Sequence, residues 1–421
     1  MPEILLRAPA GTKDILPDEA SLWGYVEEKA KKIFDIFGYQ AIRTPLIENS
    51  SLFNRSLGRE TEIIKKQMFL IQRDEETFCL RPEATASVVR AYIENNIDKV
   101  SPFIKLYYIG PMFRAERPQK GRLRQFHHIG VEALGSSSPY LDSEVVTLAH
   151  RLLQELDITG YTIKLNSLGC IADKQKFSQI LKAKLSDKLQ AFCDDCKDRY
   201  TRNVFRILDC KNQSCKDIVE KLDLKHEEYL CPECLKHFAQ VQDTLTQQNI
   251  PYTISLTLIR GLDYYNRTVF EISHPELGAQ DALGAGGRYD NLIAELGGPK
   301  LGAIGFALGM ERLLLASKAK NLQPEKKIKV FIITLGEAAK NEGFALLNQL
   351  RLKNIPGDMD YEERSLKAQM RKANDLGVRL VVLLGDNELK KRAVSLKDMQ
   401  SGNQEELSID TFIDEIQKRI S

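Results

Sequence analysis

Phe113-Arg114-Ala115-Glu116-Arg117-Pro118, running on through Lys120, Arg122 and Arg124 to Phe126, places five basic residues and one acid on a polar turn. The turn joins two strand-like runs, Phe103 to Phe113 and Arg124 to Leu134. Arginine suits phosphate, because its planar fork donates two parallel charge-assisted hydrogen bonds. An arginine-dense turn that ends on an aromatic therefore suits a nucleotide, with guanidinium groups for the phosphates and a ring face for the base. A basic loop facing water is the other reading of these residues alone.

Outward from that turn the pattern is mixed. Pro17 to Phe37 spaces Leu22, Val26, Ala30, Ile33 and Phe37 as a helix does, and Gly38 stops it. Tyr39 to Pro45 reads as a strand, and Met68 to Ile71 with Thr77 to Leu80 as a hairpin. Helices follow at Glu83 to Asn95 and Ser143 to Leu156, and a strand at Thr162 to Leu168. Residues 171–249 are Lys-rich, helical and cysteine-bearing, with little obvious apolar core, and they interrupt the β-rich pattern. Strands resume at Tyr252 to Ile259 and Thr268 to Ile272, before a glycine-rich run, Gly284-Ala285-Gly286-Gly287. Residues 1–325 thus predict one α+β, mostly antiparallel domain carrying a 171–249 helical insertion. After a linker at Asn321 to Lys327, residues 327–421 alternate strand and helix, which predicts a small α/β domain.

The chain's 421 residues exceed what one core holds, which agrees with two domains. Apolar residues at 43% and charged residues at 28% exclude a wholly disordered chain. Lys+Arg 60 against Asp+Glu 58 leaves +2, so any nucleic-acid surface must be local. The longest apolar runs, Val330 to Leu335 and Leu380 to Leu384, cannot span a bilayer, and Met1 to Gly11 lacks a signal-peptide core. The expectation is a cytoplasmic protein with reduced cysteines and no membrane partner.

Two further stretches carry chemistry. Arg260-Gly261-Leu262-Asp263-Tyr264-Tyr265 combines a cation, a carboxylate and two phenols, which suits a zwitterionic small molecule; a tight turn with core tyrosines is the plainer reading. Gly302 to Arg312 reads Gly-Ala-Ile-Gly-Phe-Ala-Leu-Gly-Met-Glu-Arg, and its glycines allow close backbone approach while Arg312 sits one turn into a helix. Gly284-x-Gly286-Gly287 is no dinucleotide fingerprint, because the pattern breaks at Tyr289.

Together these stretches resemble class II aminoacyl-tRNA synthetases. Gly38 to Pro45, Arg114 to Glu132 and Gly305 to Arg312 are similar to the three class signatures. Leu258 to Glu271 and Gly286-Gly287-Arg288-Tyr289-Asp290 resemble the two signatures peculiar to the histidyl-tRNA synthetase family, and Ala8 to Asp14 and Arg81-Pro82-Glu83-Ala84-Thr85 fit it too. The resemblance implies an antiparallel-sheet catalytic domain, a C-terminal anticodon-binding domain and a homodimer built on the first signature. It implies histidine–tRNA ligation: L-histidine and ATP give histidyl-adenylate, and the histidyl group then passes to tRNA(His).

Carried onto this sequence, the resemblance implies that Arg114 binds the α-phosphate and the histidine carboxylate, with Arg260 catalytic on the far side of the same phosphate. Arg122 and Arg312 would hold the outer phosphates, Phe126 would stack on adenine, and Mg²⁺ would accompany ATP. Glu83 and Thr85 would receive the α-ammonium. Glu132 and Tyr265 would read the two imidazole nitrogens, with Tyr264 and Tyr289 lining the pocket. One departure stands at His128, where the family has glutamine near the α-ammonium. A protonated His128 would repel that ammonium, so the expectation is weaker histidine binding at acidic pH.

Cys193-x-x-Cys196 and Cys231-x-x-Cys234 match a tetrahedral Zn²⁺ arrangement, so Cys193, Cys196, Cys231 and Cys234 are candidate ligands of one structural zinc. The family's activity does not require zinc, and an insertion without metal is the alternative. Cys79 and Cys170 read as small core residues. Two rival readings are the family's non-catalytic paralogue, a regulatory subunit of ATP phosphoribosyltransferase, and a zinc-stabilised nucleic-acid binder. The paralogue usually lacks the C-terminal domain and loses the arginine motifs, both of which this chain keeps.

Overall fold

The computed structural model describes residues 6–58, 61–119, 121–278, 281–317, 328–362 and 364–420. Lys120 and the expected linker Asn321 to Lys327 lie outside them. The chain divides into two compact units, Met1–Leu322 and Gln323–Ser421.

The first unit is built on an eight-stranded sheet. Its strands are β1 (Gln40–Ala41), β5 (Ile104–Phe113), β6 (Gln125–Leu134), β7 (Thr162–Ser167), β8 (Thr253–Ile254), β9 (Asn266–Ser273), β10 (Ala282–Arg288) and β11 (Ala303–Gly309). The order is β1-β5-β6-β11-β10-β9-β7-β8, antiparallel except at the two end pairs. A separate three-stranded sheet, β2-β4-β3, uses Ile47–Asn49, Glu76–Leu80 and Phe69–Arg73. Its hairpin turns at Asp74, which takes a φ of 52°, a left-handed conformation that aspartate tolerates.

Alternation along β6 decides what lies on each face. Ile129, Val131 and Ala133 point into a core formed with the helices Pro17–Ile36 and Pro139–Glu155. Phe126, His128, Gly130 and Glu132 occupy the other face. The glycine-rich runs, which sequence alone leaves irregular, are strands β10 and β11. Their lack of side chains lets the sheet approach its neighbours: a Cβ on Gly305 would strike Glu132 Oε2, and one on Gly286 would strike the Gly305 carbonyl and the Phe270 ring. The expected strand at Tyr252 to Ile259 shrinks to Thr253–Ile254.

The insertion is helical, but the expectation of little apolar core needs correction. It has its own apolar core, with Phe177, Leu181, Leu185, Phe192, Val204, Ile207, Tyr229 and Leu230 buried together. Its last helix, Pro232–Gln247, joins that core through Cys234 and Leu235 and packs on the main core through Phe238, Val241 and Leu245.

The second unit has a five-stranded sheet in the order β13-β12-β14-β15-β16. These are Gly357–Met359, Val330–Thr334, Leu380–Leu384, Ala393–Asp398 and Gln404–Ser408. β12 lies parallel to β13 and β14, whereas β15 and β16 extend the sheet antiparallel. β12 is buried on both faces, Val330 and Ile332 in one cluster and Phe331 and Ile333 in another. Among the described residues no helix is long and apolar enough to cross a membrane.

Arg288, in the quoted run Gly286 to Asp290, is fully buried and serves the fold. It pairs with Asp142 through Nε at 2.9 Å, and it donates to the Ser136 carbonyl and to Asp290. His237 Nε2 stands 2.8 Å from the other Asp142 oxygen. Burial alone would raise the Asp142 pKa, but Arg288 and His237 hold it below the usual carboxylate value. We predict that Asp142→Ala, which strands a buried guanidinium, costs about 3–5 kcal/mol in urea unfolding of the first unit; a loss under about 1 kcal/mol contradicts this account.

Candidate functional site

Register places the candidate residues on one face of the sheet. One row across five strands runs Leu106, Glu132, Gly305, Gly287, Val269. The next runs Tyr108, Gly130, Ala307, Ala285, Glu271. Side chains directly opposite one another share a face. The middle of this face is therefore a floor of glycine and alanine, bounded by larger side chains on β5, β6 and β9.

At one end sits Glu132, buried and served by hydroxyl groups. Thr85 Oγ1 donates to Oε1 at 2.7 Å, Tyr108 reaches the same oxygen at 3.4 Å, and Tyr289 donates to Oε2. Burial pushes the Glu132 carboxyl up to about 8, against the opposing effect of the Tyr289 and Thr85 hydrogen bonds. The Tyr264 ring lies 4.6 Å from that of Tyr265 and 5.6 Å from that of Tyr289, and all three rings are buried. Glu83 accepts from the backbone amides of Thr85 and Ala86 at 2.6 and 2.9 Å, which caps the helix Thr85–Glu94. Glu83 and Thr85 thus stand beside Glu132 on the same helix start.

At the other end are three guanidinium groups, those of Arg114, Arg122 and Arg312. Arg114 leaves the end of β5, donates to the Pro82 carbonyl at 3.0 Å and lies 5.2 Å over the Phe126 ring. Burial lowers the pKa of Arg114, and Glu116 and Glu83 oppose that effect. Arg122 pairs with Glu116 at 2.8 Å. Arg312 reaches back from its helix to the Gly121 carbonyl at 3.1 Å and to that of Ala282. Arg114, Arg122 and Arg312 are near enough to feel one another's charge. Arg260 approaches from the β9 side, where its Nη1 pairs with Glu271 at 2.7 Å, and its buried Nε has no hydrogen-bond partner among the described residues. Of the basic turn, Arg124 is structural, donating to the carbonyls of Glu116 and Ala10.

His128 stands between these groups with Nδ1 buried and unpartnered among the described residues. Burial, then Arg114, Arg81 and Arg312, push its pKa down to about 3. It is neutral from pH 6 to pH 8, so the expected loss of histidine binding in acid does not follow.

The cysteine expectation is also corrected. Cys193 and Cys196 cluster with Cys210 and Cys215, whereas Cys231 and Cys234 cluster with Cys170 and Asp173. The two Cys-x-x-Cys pairs do not share a site, and Cys170 is more than a small core residue. Sequence reasoning missed Tyr108 and Glu271. Period-two counting along β5 and β9 from Met112 and Val269 places both on the site face.

A family model described as histidyl-tRNA synthetase matches residues 11–313. The chain belongs to the histidyl-tRNA synthetase family. A second model, an anticodon binding domain, matches residues 329–419. The chain is 44% identical over 418 residues to a histidine–tRNA ligase of Natranaerobius thermophilus, covering 99% of each chain. It is 40% identical over 421 residues to one from Clostridioides difficile, covering 99% of this chain and 100% of that one. The crystal structure of apo histidyl-tRNA synthetase from S. aureus superposes with a TM-score of 0.81 at 34% identity, over 97% of this chain and 99% of that one.

His128→Gln should leave the pH dependence of the histidine KM unchanged, so that the ratio of variant to wild-type KM is the same at pH 6 and pH 8 within about twofold. A ratio that falls tenfold on acidification would mean that His128 titrates in this range.

Proposed function

We propose that this chain is a histidine–tRNA ligase. It activates L-histidine with ATP and transfers the histidyl group to tRNA(His). What carries the proposal is the polarised hollow: a buried carboxyl with hydroxyl partners at one end, guanidinium groups at the other, and a floor of small residues between them.

The imidazole enters beside Glu132 and Tyr265. A carboxyl pushed up to about 8 keeps its proton near neutral pH, so Glu132 can donate to one ring nitrogen while the phenol of Tyr265 meets the other. Tyr264 and Tyr289 shape the walls. The α-ammonium lies toward Glu83 and Thr85, with the neutral His128 able to accept from it. A pocket that pairs every polar edge rejects apolar competitors strongly.

The reaction is in-line attack of the histidine carboxylate on the α-phosphate of ATP, with pyrophosphate leaving. Two anions must meet, and charge grows on the phosphate oxygens, so fixed cations on both sides lower the barrier. Arg114 and Arg260 supply them, while Arg122 and Arg312 hold the departing phosphates and Phe126 stacks on adenine. Mg²⁺ bound to ATP would add to the neutralisation of the departing pyrophosphate.

The second unit binds the anticodon. Its basic side chains include Arg371, Lys372, Lys390, Lys391 and Arg392, of which Lys372, Lys391 and Arg392 are ion-paired with Asp360, Glu406 and Asp410. The active form is a cytoplasmic homodimer: Leu46, Ile47, Leu70 and Ile71 expose apolar surface on and beside the three-stranded sheet, which a second copy would cover.

The test is histidine-dependent ATP–pyrophosphate exchange without tRNA. Arg260→Ala should lose about 10²–10³-fold while its unfolding midpoint stays near wild type. Exchange within about tenfold of wild type would remove Arg260 from the chemistry.

A further inference from the structure

The insertion gathers eight potential ligands into two compact groups, each with four donor atoms within 4.8 Å of one another. The first is Cys193, Cys196, Cys210 and Cys215. The second is Cys170, Asp173, Cys231 and Cys234. Three of the sequence pairs share one local geometry. Cys193/Cys196, Cys170/Asp173 and Cys231/Cys234 are each the residue just before a helix and that helix's third residue. Those two positions face one another, as in a capping box, so each pair aims two donors at one point off the helix start. Cys215 is likewise the third residue of Gln213–Glu220.

The spacing fits one ion per group. Cys193 Sγ and Cys210 Sγ lie 3.9 Å apart. Four sulfurs bound tetrahedrally at about 2.3 Å stand about 3.8 Å from one another, whereas a disulfide needs about 2 Å. The Cys193 amide donates to Cys215 Sγ at 3.4 Å, as amides do toward thiolates. In the second group the Asp173 carboxylate is aimed by two amides, Cys231 N–H at 3.0 Å and Cys170 N–H at 3.2 Å. A carboxylate held among three thiols inside an apolar core is poor packing material and a good hard–soft ligand mixture for zinc.

Each group also borders a clamp on the histidine loop. Lys174, next to Asp173, donates to the backbone carbonyls of Asp263 and Tyr265 at 3.1 and 3.0 Å. Arg206, between Cys196 and Cys210, donates to the Gly261 carbonyl at 2.7 Å and to Asp263 Oδ1 at 3.2 Å. A cavity of about 390 Å³, lined by Lys174, Ser178, Phe205, Asp263 and Tyr265, lies between the insertion and this loop, so on that side the loop is tied to the insertion through these clamps.

We propose that the insertion holds two zinc ions, one on Cys193, Cys196, Cys210 and Cys215 and one on Cys170, Asp173, Cys231 and Cys234. The ions fix the clamps that position the Arg260 to Tyr265 loop. Lys174 and Arg206 are positioning residues.

Metal counting tests the sites independently of the ligase reading. Full-length protein from zinc-supplemented cells, passed over chelating resin, should carry two zinc ions per chain by mass spectrometry of the elements. Cys210→Ser and Cys170→Ser should each carry one. Should either variant fail to fold, cobalt(II) replacement in the wild-type chain gives the same information: tetrahedral bands from two sites, one rich in thiolate and one with a carboxylate. Zinc-stripped enzyme returned to Mg²⁺ should show a histidine KM raised about tenfold, kcat within about twofold, and faster proteolysis in the insertion. Zinc below about 0.2 per chain, iron in its place, or one ion unaffected by Cys170→Ser overturns the two-site assignment. Unchanged KM after loss of both ions overturns the role in the loop.

Discussion

Glu132 can be buried only because the neighbouring strand carries Gly305, where any side chain would strike its Oε2. The same row continues through Gly287, whose Cβ would crowd the Tyr265 ring and whose φ of +158° is unfavourable for other residues. A run of small residues thus clears a hollow in the middle of a sheet that would otherwise be covered by side chains. Everything functional is arranged at its rim. The β-bulge between Gly287 and Arg288 then turns the chain so that Arg288 serves the buried Asp142 pair while Tyr289 returns to Glu132.

The hollow is electrically uneven by construction. Burial pushes the Glu132 carboxyl up to about 8, which favours its protonated form near neutral pH. The other end carries guanidinium groups whose burial lowers their pKa without neutralising them. Among the described residues Arg114 is held by a carbonyl and a ring face, with Glu116 and Glu83 near enough to favour its charge. Such a site binds a molecule that is polar and neutral at one end and polyanionic at the other. Histidine lying beside the α-phosphate of ATP presents such a pair of ends.

Much of this was legible in the chain. Arg114, Arg260, Tyr264 and Tyr265 lie in short stretches of unusual composition, where local chemistry is readable, whereas Glu132 and Tyr289 were reached only through the family resemblance. What was not legible depends on distance in sequence or on absence of side chains. Glycine-rich β10 and β11 look irregular because strand propensity is judged from side chains, which they lack. Strand β16 is masked by polar residues on its exposed positions. The cysteine groups could not be paired from spacing, because Asp173 and Cys231 meet across 58 residues. The pressure on His128 was hidden for a related reason: burial lowers its pKa first, and the arginines that add to the effect follow β4 and β5 or sit on the helix after β11.

The central claim is that one ligand spans this hollow, imidazole at Glu132 and phosphate between two arginines. A crystal structure with a non-hydrolysable sulfamoyl analogue of histidyl-adenylate tests it most directly. The account predicts a ring nitrogen within hydrogen-bond distance of the Glu132 carboxyl and sulfamoyl oxygens contacted by both Arg114 and Arg260. An analogue bound with its imidazole away from Glu132, or with its sulfamoyl group touching neither arginine, would contradict it.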